Sequence, residues 1–395
     1  MDNSHVNKAE DSPKQSDPSF GVDGFLKLQE EDCYARTLTT AAGERWIVGI
    51  KPDHNFELIR VTSDGKVDTT FKVIGSFDTA LANNSFFHSV VEDAQSRLLV
   101  LGHLYESSTG IYYPAAARYT CEGQLDKTFG EGGRVVFKEI DAPQPKGEPA
   151  HSPTVFHFYR SNRVTSNVSY LVSVNDNGTL NTDFNARGFL ELMYRSQPIE
   201  VTASQSLPDG SCLFTANTPT QVLVGRVTAK GQVDTTFADY GFHVLELPGS
   251  RHNALVTDRH SAIWALGKVQ SASGNKLVVL KLSSRGIAAP DFNGGEQLEL
   301  ALGNLDPFGN ALSIDSKARV LITGCHLDKN TRYPLVVRLL PEGKLDPAFC
   351  AGQGYVAEGN AGEYNAVALR TDDRIVAAGH WGIFPYYVLV AGYLG

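Results

Sequence analysis

The chain has 395 residues, 42% of them hydrophobic and 20% charged, with a formal net charge of −9. It contains no basic run of five or more residues, which excludes nucleic acid and anionic membrane as expected partners, since both are held by clustered Lys and Arg. No stretch approaches the roughly 18 apolar residues that a membrane helix needs.

Residues 1–16 are polar and read as a disordered tail, with no apolar segment that could serve as a signal peptide. The five cysteines, Cys33, Cys121, Cys212, Cys325 and Cys350, are odd in number and lack CxxC spacing. That pattern argues against a disulfide framework and against a structural zinc site. It fits reduced thiols in a cytoplasmic protein, or a protein exported without a cleavable signal peptide.

From residue 17 onward a short turn ending in phenylalanine recurs seven times, with Phe20, Phe71, Phe129, Phe184, Phe237, Phe292 and Phe349 spaced 51 to 58 residues apart. A repeat of this length decides the architecture. The apolar runs between the turns are short, rich in Val, Ile, Leu and Tyr, and bounded by Gly, Asp or Pro, which predicts strands. After Asp93 these are residues 97–102 and 115–119, followed by a turn at 121–124. After Asp315 they are 319–324 and 335–339, followed by a turn at 341–344. The last unit reads as strands at 354–357, 364–370, 374–379 and 386–392. No window keeps a helical period.

The reading is all-β, a seven-bladed β-propeller of four-stranded blades forming a single domain over residues 17–395. Only 46 residues follow Phe349, so the last unit is about one strand short. Residues 20–28 copy residues 129–137 and can supply that outer strand, which closes the ring without exposed sheet edges. The pattern Gly123-Gln-Leu-Asp126-Lys-Thr-Phe129-Gly-Glu-Gly-Gly133 resembles the delta-60 repeat family of bacterial β-propellers. Copies around Asp68, Asp234 and Asp346 match well, whereas Asp291 has lost its Thr and residues 140–170 fit poorly. The resemblance implies the fold and no activity.

The repeated Asp and Phe read as architecture: the Asp caps a tight turn and the Phe fills the gap between blades. Function is expected where the repeats differ, in the loops. The most variable loop follows the strand that ends in Gly, on the face where the innermost strands begin. It carries His103, Tyr105, Tyr112, Tyr113, His326, Tyr333, His380, Trp381 and Tyr386, the candidate ligand-binding residues. His88, His151 and His252 lie near the innermost strands of other units. No two of these histidines have metal-ligand spacing, so neither a cofactor nor a metal is expected. Cys325 and His326 are adjacent and point opposite ways, and no Gly-x-Ser-x-Gly elbow occurs, so no catalytic residue is assigned. A Pro-rich insertion spans residues 141–151. The expected function is a monomeric binding module for a protein, peptide or glycan. The alternative is a lyase or hydrolase with a His-based, metal-dependent site at the channel mouth.

Overall fold

The computed structural model describes residues 15–41, 45–51, 55–78, 84–93, 95–108, 111–138, 155–161, 167–272 and 274–395. Among these the chain is all-β, with two short 3-10 turns at Asn293–Gly295 and Cys350–Gly352. Four antiparallel strands per unit form twisted sheets arranged as a propeller. The inner strands are Tyr34–Ala41, Asn84–Glu92, Glu200–Ser206, Ser250–Thr257, Asp306–Ile314 and Gly362–Leu369, and they begin blades one to six.

The expectation of seven four-stranded blades is corrected: among the described residues the sheets make six such blades, not seven. The turn motif at residues 181–184 belongs to a three-stranded sheet of Val155–Ser161, Asn167–Ser173 and Phe189–Glu191. The phenylalanines count turn motifs, and the motif at 181–184 lies between the last two strands of its sheet, so it does not report how many strands precede them. The Pro-rich insertion at 141–151, including His151, lies outside the described residues, as do residues 1–14 of the polar tail.

Burial follows from each strand's place in its blade. The second strands Cys212–Asn217 and Val320–Asp328 are covered by a neighbouring sheet on each face, so their apolar residues run on without alternation. The inner strand Gly362–Leu369 alternates between buried and half-buried positions, the period-two pattern of a strand with one face toward the core. The N-terminal strand Phe25–Lys27 pairs antiparallel with Tyr387–Tyr393, with Leu26 opposite Val390. It is the outer strand of the sixth blade and joins the two ends of the described chain. Gln15 and Ser16 are also held there: Ser16 bridges Tyr393, and the Leu394 amide donates to the Gln15 carbonyl at 2.9 Å.

The repeated turn is a compact electrostatic and aromatic unit. Asp126 Oδ1 accepts from the Thr128 amide at 3.0 Å and its hydroxyl at 2.6 Å, while Oδ2 accepts from Arg118 Nε at 2.8 Å. The Arg118 guanidinium lies over the Phe129 ring, 4.8 Å from its centroid. Arg60, Asp68 and Phe71 repeat this set, as do Arg226, Asp234 and Phe237, and Arg338, Asp346 and Phe349. Phe71, Phe129 and Phe237 then pack under the turn of the next unit. The residue after Phe237 donates its amide to the Arg285 carbonyl at 2.8 Å, and the following Gly286 has φ of +78°. A Cβ there would come within 2.6 Å of Phe237. Gly286→Ala is expected to lower stability by about 2–3 kcal/mol, from the left-handed backbone plus that clash, read as a shift in the urea midpoint.

A second ring surrounds the axis. Every inner strand has a bulge at the same place, and the extra residues are Arg36, His88, Thr202, Asn253, Asn310 and Asn365. Five of them donate to a carbonyl of the next inner strand. Asn365 Nδ2 bonds Ala35 O at 3.0 Å, Arg36 Nε bonds His88 O at 3.1 Å and Thr202 Oγ1 bonds His252 O at 2.6 Å. Asn253 Nδ2 bonds Gly309 O at 2.7 Å, and Asn310 Nδ2 bonds Tyr364 O at 2.9 Å. Bulges leave backbone groups without ladder partners, and these side chains satisfy them.

Candidate functional site

The predicted loops do sit beside the starts of the inner strands, because each second strand runs antiparallel to its inner strand: Glu363 faces His380 in register, and Phe86 faces His103. The candidate residues separate into distinct places. His103 is buried, with Nδ1 at 2.8 Å from Nε2 of His88. Tyr105 and Tyr112 are cross-strand partners with ring centroids 4.6 Å apart, and Tyr113 is buried beneath the Lys138 ammonium. All of these belong to the second blade.

His326 and Tyr333 stack on one another in the fifth blade at 5.3 Å. His103 and His380 directly follow a strand glycine, but His326 follows one residue later, after Cys325. That single step turns its side chain to the other face of the sheet. Cys325 takes the place that the histidines hold elsewhere, with Sγ 3.7 Å from Glu363 Oε2. Burial, with the Glu363 carboxylate beside it, pushes the Cys325 thiol up to about 12, so it remains a protonated donor. Trp381 likewise points away from its neighbour His380. It stacks on Tyr387 at 4.7 Å, and the Lys27 ammonium lies 5.1 Å from its ring centroid.

His380 and Tyr386 remain, and they share one cleft of this face. A cleft of about 550 Å³ opens where the fifth, sixth and first blades meet. Its walls include Arg332 from the fifth-blade hairpin, Glu363 from the start of the sixth inner strand, His380 and Tyr386 from the sixth-blade loop, and Tyr34 and Arg36 from the first inner strand. Arg332 Nη1 donates to Glu363 Oε2 at 2.6 Å, and His380 Nδ1 lies 4.0 Å from Glu363 Oε1. The His380 ring meets Tyr386 at 4.6 Å and Tyr34 at 6.2 Å, both edge-on. The Cys33 amide donates to the Tyr386 carbonyl at 3.2 Å and ties the loop to the first blade.

Burial holds the His380 imidazole below the usual histidine range, with the Glu363 carboxylate pulling the other way. The neutral ring is thus the form present at neutral pH. Its Nδ1 is buried facing Glu363, which leaves Nε2 to accept a hydrogen bond from a ligand. Tyr34, Arg36, Arg332 and Glu363 went unmarked in the sequence, because only the packing of three blades brings them together.

His252 stands apart from any cleft. It is fully buried in the fourth blade, and neither ring nitrogen has a hydrogen-bond partner among the described residues. Glu200 pairs with Arg251, and Asp306 accepts from the Asn275 amide at 2.7 Å. Asp258 caps a turn, accepting from His260 N at 2.8 Å and Trp264 Nε1 at 3.0 Å. Among the described residues no three His, Cys, Asp or Glu side chains gather as a metal site. No helix of the described residues is long and apolar enough to cross a membrane.

No family model matches the chain, and a search of curated proteins finds no relative. The likeness to the delta-60 repeat therefore rests on the turn motif alone. Solved structures are similar over nearly the whole length. A catalytically inactive virginiamycin B lyase from Staphylococcus aureus with quinupristin matches at a TM-score of 0.53 and 11% identity, covering 94% of this chain and 98% of that one. The polysaccharide lyase Uly1 matches at 0.50 and 8% identity, covering 91% and 90%. At such identities the similarity establishes the fold, a β-propeller, and nothing finer.

Proposed function

We propose that the protein is a binding module that takes a short saccharide in the cleft between the fifth, sixth and first blades. The observation that carries this reading is the convergence of Tyr34, Tyr386, Arg332, Glu363 and His380 around one cavity of about 550 Å³. That volume falls within the range of about 300–1,000 Å³ common for small-ligand sites. Tyrosine rings offer flat apolar faces to the carbon side of a sugar ring, while the charged and imidazole groups bond its hydroxyls. Groups on three different blades can hold successive parts of one ligand in a fixed orientation.

A glycan array probed with the full chain tests the reading. Wild type is expected to select particular saccharides, and the pair Tyr386→Ala with Glu363→Gln is expected to weaken the best of them by about tenfold or more. Unchanged binding by that double variant would place the saccharide elsewhere.

One observation favours a second reading, an enzyme of lyase type. A neutral His380 with the Glu363 carboxylate 4.0 Å away can take a proton, and both similar structures of comparable length carry lyase in their names. Under this reading His380→Ala abolishes turnover of a bound saccharide while its affinity changes by less than about tenfold. Binding without turnover in the wild type supports the binding module.

A further inference from the structure

We infer that the saccharide of this cleft carries a carboxylate, seated against the guanidinium of Arg36. The inference rests on the saccharide reading above and adds the charge of the ligand. Two cations, Arg36 and Arg332, line the cleft against one anion, Glu363. This local excess of positive charge sits in a chain of net charge −9.

Arg36 and Arg332 are not equivalent. Arg332 already has its carboxylate, Glu363, at 2.6 Å, and Glu363 also receives the Cys325 thiol. Glu363 is therefore committed. Arg36 is half-buried, and its single hydrogen bond among the described residues runs from Nε to the His88 carbonyl at 3.1 Å. That bond fixes the plane of the guanidinium. Among the described residues neither Nη nitrogen faces an anion, so the fork stays open at the cleft wall. A carboxylate matches the fork of a guanidinium and restores the missing partner.

The surrounding groups fit the rest of such a ligand. The Asn365 side chain donates to Ala35 O and so keeps its own carbonyl for a sugar hydroxyl. His380 Nε2 accepts from another, and Tyr34 and Tyr386 flank the ring. Ile383, two-thirds exposed at the outer lip of the cleft, extends the apolar wall.

The test is calorimetric titration of the full chain with a galacturonate trisaccharide, its methyl ester and oligoglutamate of equal charge. The acid is expected to bind about tenfold more tightly than the ester, and the preference to fall below about threefold in Arg36→Gln. Equal affinity for acid and ester overturns the inference while leaving the saccharide reading intact. Oligoglutamate binding as tightly as the acid also overturns it, in favour of an acidic peptide. If neither sugar binds below about 10 mM, the saccharide reading itself fails. Should Arg36→Gln not fold, the wild type decides: the preference for acid over ester must shrink as salt rises from about 0.05 to 0.5 M, and a salt-independent preference contradicts the proposal.

Discussion

Asp346→Asn is expected to lower the stability of the protein by about 3–5 kcal/mol, although it changes only one oxygen for a nitrogen. Asp346 and Arg338 are 3% and 1% exposed, with Nε to Oδ2 at 2.7 Å. Arg319 stands 3.6 Å from the same carboxylate, and its other partner is Asp315 at 2.5 Å. Asparagine can still cap the turn, but it leaves Arg338 charged, buried and facing a neutral amide. The same motif in the third blade provides the control. The side chains of Arg226 and Asp234 are 18% and 15% exposed, so Asp234→Asn is expected to cost about 1 kcal/mol. Replacing both members of the buried pair, Asp346→Leu with Arg338→Met, is expected to recover most of the loss. Equal small losses at both sites, measured by urea unfolding, would contradict the assignment of burial as the deciding factor.

The second large effect is a pH dependence centred on His252. Burial, with a smaller contribution from nearby His243, lowers its pKa from 6.5 to about 4. A histidine held neutral when folded gains its proton more readily when unfolded. Stability from this group is therefore full above pH 6.5 and declines as the pH falls toward 4, by about 3 kcal/mol in all. His252→Leu removes the titrating group and is expected to abolish that part of the acid loss. Near neutral pH the leucine variant is expected to be no less stable, since neither imidazole nitrogen is bonded among the described residues of the wild type. Urea midpoints at neutral and acidic pH for the two proteins measure the difference directly. An identical acid loss in both would mean that other groups carry it.

The contrast between these residues and the cleft shows which parts of the molecule were legible in sequence. Anything demanded in every unit left a periodic trace. Asp126, Thr128 and Phe129 and their copies mark the turns, and the short final unit pointed to the pairing of Phe25–Lys27 with Tyr387–Tyr393. The arginine eight residues before Asp68, Asp126, Asp234 and Asp346 recurs in the same way and could have been read with them. So could Asn253, Asn310 and Asn365, which recur at the bulge of successive inner strands. The number of four-stranded sheets among the described residues was not legible, because a turn motif marks the last strands of a unit and does not count those before them. The cleft was legible only in part. His380 and Tyr386 stood out as aromatic loop residues, but His326 was misplaced by a one-residue register step. Glu363, Arg332, Tyr34 and Arg36 meet only through the packing of three blades, and nothing local records that.

The central claim is that the repeated residues build the frame and that a ligand is held at the seam of the fifth, sixth and first blades. Hydrogen exchange of the full chain, with and without the saccharide it binds best, tests this most directly. Protection is expected at residues 34–36, 330–332, 361–365 and 380–386, the walls of the cleft. Protection of the second-blade hairpin around Tyr105 and Tyr112, with the cleft unchanged, would contradict it.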